Sequence, residues 1–136
     1  TFIMKKLFGT FICIITILGL TGCGQSSQNQ ELLYGEWSYL GKSGIDSAFF
    51  YYKFNEDGTF EHSKCMGDNC DYGEAEWSGT YKLNGNRISL NVKESNQKKD
   101  RFGFNISIEK SLIVDFDNMY LCDGDEGLDC SQKYEK

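Results

Sequence analysis

Residues 74–93 read EAEWSGTYKLNGNRISLNVK. Ala75, Trp77, Gly79, Tyr81 and Leu83 alternate with Glu74, Glu76, Ser78, Thr80 and Lys82. After Asn84-Gly85-Asn86, Ile88, Leu90 and Val92 alternate with Arg87, Ser89, Asn91 and Lys93. A period of two puts one set of side chains on each face, so both halves read as strands with one apolar and one wet side. Asn84-Gly85 between them is the strongest short-range hairpin signal, because a type I′ turn needs positive φ at both central positions. The stretch therefore specifies two antiparallel strands of a sheet with a single core side.

The same grammar extends in both directions. Asn55-Glu56-Asp57-Gly58 plays a similar turn role between segments 48–54 and 59–64. Phe102, Phe104, Ile106 and Ile108 alternate with Gly103, Asn105, Ser107 and Glu109, and Leu112, Val114 and Phe116 continue against Asp115 and Asp117. Strands are predicted near 36–40, 48–54, 59–64, 74–83, 87–93, 102–109, 111–121 and 128–135. The chain has no proline to break any of them. No long amphipathic helix is visible, and Gln30–Leu33 is expected to form at most a turn before the first strand. A row of short, sequentially joined strands leaves two open edges unless it closes. The predicted class is all-β: a small antiparallel up-and-down barrel of about eight strands.

Ahead of this domain lies MKKLFGTFICIITILGLTGC, residues 4–23. Lys5 and Lys6 precede an apolar run from Leu7 to Leu20, which closes on Leu20-Thr21-Gly22-Cys23. Basic residues, apolar run and small residues in that order read as a secretory signal. The run is shorter than the roughly 18–20 residues that cross a bilayer core, and Gly9 and Gly19 weaken it as a helix. Its end resembles the bacterial lipoprotein lipobox. That resemblance implies diacylglyceryl attachment at Cys23 and cleavage before it. Residues 1–22 are thus expected to be a signal peptide. Residues 23–31 would be a lipidated cysteine and polar tether spanning roughly 15 Å, and 32–136 the folded domain. The expected address is a cell membrane or outer envelope, with the domain on the extracytoplasmic side. Two or three acyl chains hold a protein on a membrane where one binds only marginally.

Charge and cysteines limit what the domain can do. The sequence has 14 basic and 20 acidic residues, and removing the leader takes Lys5 and Lys6, leaving 14 − 2 − 20 = −8. Phosphate neutralisation needs clustered cations, so nucleic acid is excluded as a partner. Only Lys98, Lys99 and Arg101 cluster, diluted by Glu94 and Asp100. Beyond Cys13 in the leader and Cys23, four cysteines remain: Cys65, Cys70, Cys122 and Cys130. An even number in an exported chain reads as disulfides. The local pairing, Cys65–Cys70 with Cys122–Cys130, closes two short loops and is the one expected. A crossed pairing, which would staple distant strands, stays open. The gaps of four and seven residues do not match the two-residue spacing of paired zinc ligands.

The order of short motifs resembles the lipocalin-like domains of small bacterial lipoproteins. Leu33-Tyr34-Gly35-Glu36-Trp37 is similar to their opening, and the run from Tyr52 to Phe60 to their Asp-Gly hairpin. The segment from Trp77 to Ile88 resembles their Trp-x-Gly-Thr-Tyr segment, with Lys110-Ser111-Leu112 and Tyr134-Glu135-Lys136 in the places of the late strand and terminus. The resemblance implies a small calycin-type barrel and, by analogy, an interior ligand.

Inward positions expected from the alternation are heavy with rings: Trp37, Tyr39, Phe50, Tyr52, Phe54, Phe60, Trp77, Tyr81, Phe102, Phe104 and Phe116. An eight-stranded barrel is wide enough for side chains or one small ligand. This many aromatics favours a filled or nearly filled interior. Were a pocket present, Trp37, Tyr52, His62, Trp77 and Tyr81 are the candidate lining. His62, the sole histidine, is expected partly exposed at a strand end. Catalysis by Cys65 with His62 would need a free thiolate, which a bridged cysteine cannot supply. The acidic run from Asp115 to Asp129 fails the EF-hand pattern, because Leu128 and Tyr134 stand where glycine and glutamate are required. The expected function is non-enzymatic and without cofactor: binding of a small apolar ligand or an envelope protein. The alternative is an inhibitor or envelope-assembly module with a filled barrel. Cys23→Ala should accumulate as an unlipidated precursor that shifts from the detergent phase to the aqueous phase on partitioning. Unchanged partitioning would exclude the anchor.

Overall fold

The computed structural model describes residues 27–43 and 46–136. The predicted leader, Cys23 and the first tether residues lie outside the described residues. Contacts divide the chain into two units, Thr1–Leu32 and Leu33–Lys136. Of the first, residues 27–32 are helical, so the second half of the expected tether is a short helix (α1, 27–33) rather than extended chain. The second unit is the barrel.

Eight strands run in sequence order around it: β1 (Gly35–Ser43), β2 (Asp46–Phe54), β3 (Thr59–Met66), β4 (Gly73–Asn84), β5 (Arg87–Ser95), β6 (Ser111–Asp115), β7 (Tyr120–Asp123) and β8 (Tyr134–Glu135). Each is antiparallel to the next, and β8 returns to β1 through Ser38↔Glu135 to close the barrel. β1 to β5 form the long wall, with β1 and β2 paired along their whole length from Gly35↔Phe54 to Ser43↔Asp46. The β4–β5 turn is centred on Gly85-Asn86, inside the Asn84↔Arg87 pair. Gly85 takes φ 63° while Asn84 does not take positive φ, so the hairpin forms as expected but its turn lies one residue later than the type I′ reading of Asn84-Gly85 placed it. In the β2–β3 turn, the Asp57 carboxylate accepts the Thr59 amide at 3.0 Å and its hydroxyl at 2.6 Å. A bulge at Ser78/Gly79 shifts the β4–β5 register. A β-carbon at Gly79 would run into the carbonyl oxygen of Asn91, so glycine is required there.

The inward faces supply the core. Trp37, Tyr52, Phe54, Phe60, Ile88, Leu112, Val114 and Leu121 are fully buried and pack with Leu33, Tyr81 and Tyr134. The indole of Trp37 donates to the Leu33 carbonyl at 2.8 Å, tying the end of α1 to β1. The Phe54 and Tyr81 rings meet edge-on at 5.0 Å, a favoured aromatic geometry. Ala75, Trp77 and Ile106 form a second, smaller cluster. Disulfides join Cys65 to Cys70 and Cys122 to Cys130.

The C-terminal third departs from the sequence reading. No strand forms over 102–109. Residues 98–106 fold back on themselves through the Lys99↔Asn105 bridge, and Phe102 and Phe104, expected inside, are 69% and 72% exposed. The turn wins because Asp100 accepts the amides of both Phe102 and Phe104 at 2.9 Å, while Gly103 takes φ 89°. The single strand expected over 111–121 is instead the β6–β7 hairpin. There Asp115 accepts the amides of Asp117 and Asn118, and Met119 turns at φ 55°. Phe116, read as inward, is half-buried against the core from this turn. The expected strand 128–135 shrinks to Tyr134–Glu135.

Trp77→Ala removes a buried ring and should cost on the order of 3–5 kcal/mol in denaturant melts. Lys82→Ala, on the exposed face of the same strand, should cost about half a kcal/mol or less. Equal effects would contradict the register of β4.

Candidate functional site

Alternation along β3 sends Phe60, His62, Lys64 and Met66 inward, and along β2 it sends Ala48, Phe50, Tyr52 and Phe54. Two polar side chains, His62 and Lys64, are thereby carried into an apolar interior. Lys64 is satisfied. Its ammonium donates to the Ser107 carbonyl at 2.8 Å and pairs with Glu109 at 3.0 Å, lying 5.4 Å from the centre of the Phe50 ring. The other Glu109 oxygen accepts from the Tyr52 hydroxyl at 3.1 Å. Burial, reinforced by the Glu109 charge, pushes the Tyr52 phenol well above its ordinary range. Burial does the same to Tyr134, so both remain neutral donors.

His62 is not at a strand end. It sits mid-strand and 1% exposed, stacked on Tyr52 at 3.8 Å and lying 5.2 Å from Trp77. Among the described residues, neither of its ring nitrogens, nor the indole nitrogen of Trp77, has a hydrogen-bond partner. Burial first, and the nearby Lys64 charge second, lower its pKa to about 3. A neutral imidazole is an aromatic plate at neutral pH, and here it serves as part of the core.

Above this level the interior opens. A cavity of about 320 Å³ lies at the end of the barrel where β1 gives way to β2 and β3 to β4, walled mainly by apolar atoms. Tyr39, Phe50, Met66, Tyr72 and Phe102 form its sides, with Arg101 at the rim. The Arg101 guanidinium lies 4.4 Å from the Tyr72 ring centre and 4.7 Å from that of Phe102, so two rings fix its position. The interior is therefore filled over most of its length and open at one end, against an expectation of a filled or nearly filled barrel. Two further cavities are polar. One of about 430 Å³ borders Glu61, Glu76, Ser78 and Glu94, and one of about 480 Å³ lies between residues 107–111 and Asp123/Asp125.

None of the five candidate lining residues reaches the apolar cavity. Trp37, Tyr52, His62, Trp77 and Tyr81 are packed in the filled section, and the Tyr81 hydroxyl donates to the Asn55 carbonyl. His62 and Trp77 border the polar 430 Å³ cavity instead. Tyr39 and Phe50 were legible as inward residues. Met66, Tyr72 and Arg101 were not: β3 runs two residues past its predicted end at residue 64 to include Met66, and Tyr72 and Arg101 belong to the β3–β4 loop and the 98–106 hairpin.

A model of the lipocalin-like domain family matches residues 33–114, more than half of the chain, and the protein belongs to that family. No curated protein and no solved structure matches its sequence. The fold is one suited to holding a small ligand.

The buried His62 makes stability pH-dependent. The unfolded chain takes up a proton near pH 6.5, while the folded chain refuses it until about pH 3. The contribution is therefore fully present above pH 6.5 and is lost as pH falls. Between pH 7 and pH 5 the loss should be about 2 kcal/mol in denaturant melts. His62→Phe should flatten that slope. An equal slope in the variant would mean that His62 protonates within the fold.

Proposed function

We propose that this chain is an exported, lipid-anchored, non-enzymatic binding module that holds a small, mainly apolar molecule in the open end of its barrel. The cavity of about 320 Å³ carries this reading. It reaches the low end of ligand-pocket volumes, and it combines apolar walls with few polar groups. It is smaller than the two polar cavities but better suited to shield a ligand from water. Tyr39 and Phe50, stacked at 5.9 Å, offer a flat face on one side, and the rim guanidinium offers donors at the entrance.

Its placement follows from the leader. Cys23 is the lipid acceptor, cleavage before it removes residues 1–22, and the barrel stands on the outer face of a bacterial membrane. Two disulfides support an oxidising compartment, since such bonds are rare where thiols are kept reduced. Cleavage and diacylation at Cys23 supply the main attachment of a domain whose net charge is negative.

Native mass spectrometry of the protein released from its own cells should show a bound small molecule. Ala48→Trp, which fills the cavity from β2, should lower its occupancy by roughly tenfold, the equivalent of losing one well-buried contact. A native protein that carries no adduct, or a variant that keeps it, would contradict the cavity as the site.

A further inference from the structure

The 98–106 hairpin is held by its own backbone hydrogen bonds, yet its two rings stay largely exposed, although Phe102 also borders the cavity and lies against Arg101. The Ile106 amide donates to the Lys98 carbonyl at 3.0 Å, the Gly103 amide to that of Asp100 at 3.0 Å, and the Arg101 amide to Tyr72 at 3.0 Å. Ile106 is buried and anchors the base. The result is a tight, fixed loop that presents Phe102 and Phe104 to solvent. Leu40 and Phe49, paired across β1 and β2 and 58% and 45% exposed, stand beside residues that line the same open end. Large exposed rings on a rigid support mark an interaction surface.

Charge identifies the partner. Lys98 pairs with Glu74, and Asp100 is engaged by two amides of its own turn. Nearby, Asp68 accepts from the Ser47 hydroxyl and Asp71 is exposed. Among the described residues, no carboxylate lies within ion-pair distance of Lys99 or Arg101. Lys99 and Arg101, without a carboxylate partner among the described residues, therefore precede two exposed rings on the same loop, in a domain that is otherwise acidic. We propose that this hairpin is a membrane-contact element: Phe102 and Phe104 enter the headgroup–acyl boundary of a bilayer, and Lys99 and Arg101 meet anionic lipid headgroups. Isolated rings on a turn tip suit a fluid interface, where apolar groups bury among acyl chains beneath cationic side chains. A protein partner would instead be met by a flat, complementary apolar patch. The open end of the barrel then faces lipid. The inference is independent of whether the cavity holds a ligand.

Phe104→Trp in the full chain provides the test, because the native indoles of Trp37 and Trp77 are buried in the barrel. The protein is reconstituted into vesicles of phosphatidylglycerol and phosphatidylethanolamine with brominated acyl chains. The introduced indole should shift its emission to the blue and lose intensity to bromine, while the native indoles do not. Lys99→Gln with Arg101→Gln should diminish both effects, as should replacing phosphatidylglycerol by phosphatidylcholine. Emission unaffected by bromine in every vesicle would overturn the proposal and leave a protein as the hairpin's partner. Quenching of equal strength in phosphatidylcholine alone would overturn the role assigned to anionic lipid.

Discussion

The barrel depends on one cross-strand tether in its interior. β5 and β6 pair only at Arg87↔Ile113, Ile88↔Leu112 and Ser89↔Ser111, which leaves the upper half of β5 paired with β4 alone, with no strand on its other side. The chain between them bridges this gap as irregular backbone, with the Leu90 amide donating to the Lys110 carbonyl at 2.9 Å. Inside, Lys64 grips both Ser107 and Glu109, and Tyr52 takes the remaining Glu109 oxygen. Side chains from β2 and β3 thus hold the opposite wall in place. A partly buried ion pair with each partner also hydrogen-bonded is costly to break from one side, on the order of 3–5 kcal/mol. The pair also sets the boundary of the filled core, since a charge bonded across the interior cannot be overlaid by close-packed rings.

That boundary explains why the sequence was legible in one region and not in another. From Glu36 to Lys93 apolar and polar residues alternate within the strands, Asp57-Gly58 and Asn84-Gly85 mark two of the turns, and every strand expected there formed. Beyond Ser95 the same alternation is present in Phe102, Phe104, Ile106 and Ile108, but local hydrogen bonds to Asp100 compete with it and win. Only Ile106 of the four is fully buried. Asp115 repeats the device two turns later. Short side-chain-to-backbone bonds of this kind offer the chain an alternative to the ladder, and a period-of-two pattern does not register them. His62 failed for the opposite reason. Its polarity suggested a strand end, whereas its flat ring stacks between Tyr52 and Trp77 as an aromatic residue would.

The disulfides stand where the hydrogen-bonded sheet is weakest. β8 contributes two residues, and β7 pairs with it only at Tyr120↔Glu135 and Leu121↔Tyr134. Cys122–Cys130 closes the chain between those strands, so the last turn of the barrel does not rely on a two-residue strand alone. Cys65–Cys70 sits at the end of β3, and its loop delivers Gly67 and Tyr72 to the rim of the cavity. Loops this short gain about 2–3 kcal/mol each from restriction of the unfolded chain.

The two ends of the molecule therefore obey different physics. At the end holding Trp37, Phe54, Phe60 and Tyr81, rings and aliphatic groups fill the barrel, and stability follows from excluded water. At the other end the strands are held by a partly buried ion pair, a disulfide loop and a capped hairpin, none of which needs interior side chains to fill the space. Polar and covalent devices that replace packing leave room for a cavity, and they fix its rim. The rim residues Arg101 and Phe102 are rigid because Asp100 and Tyr72 hold their backbone, not because anything covers them. The open end is held in shape by the closed packing of the other.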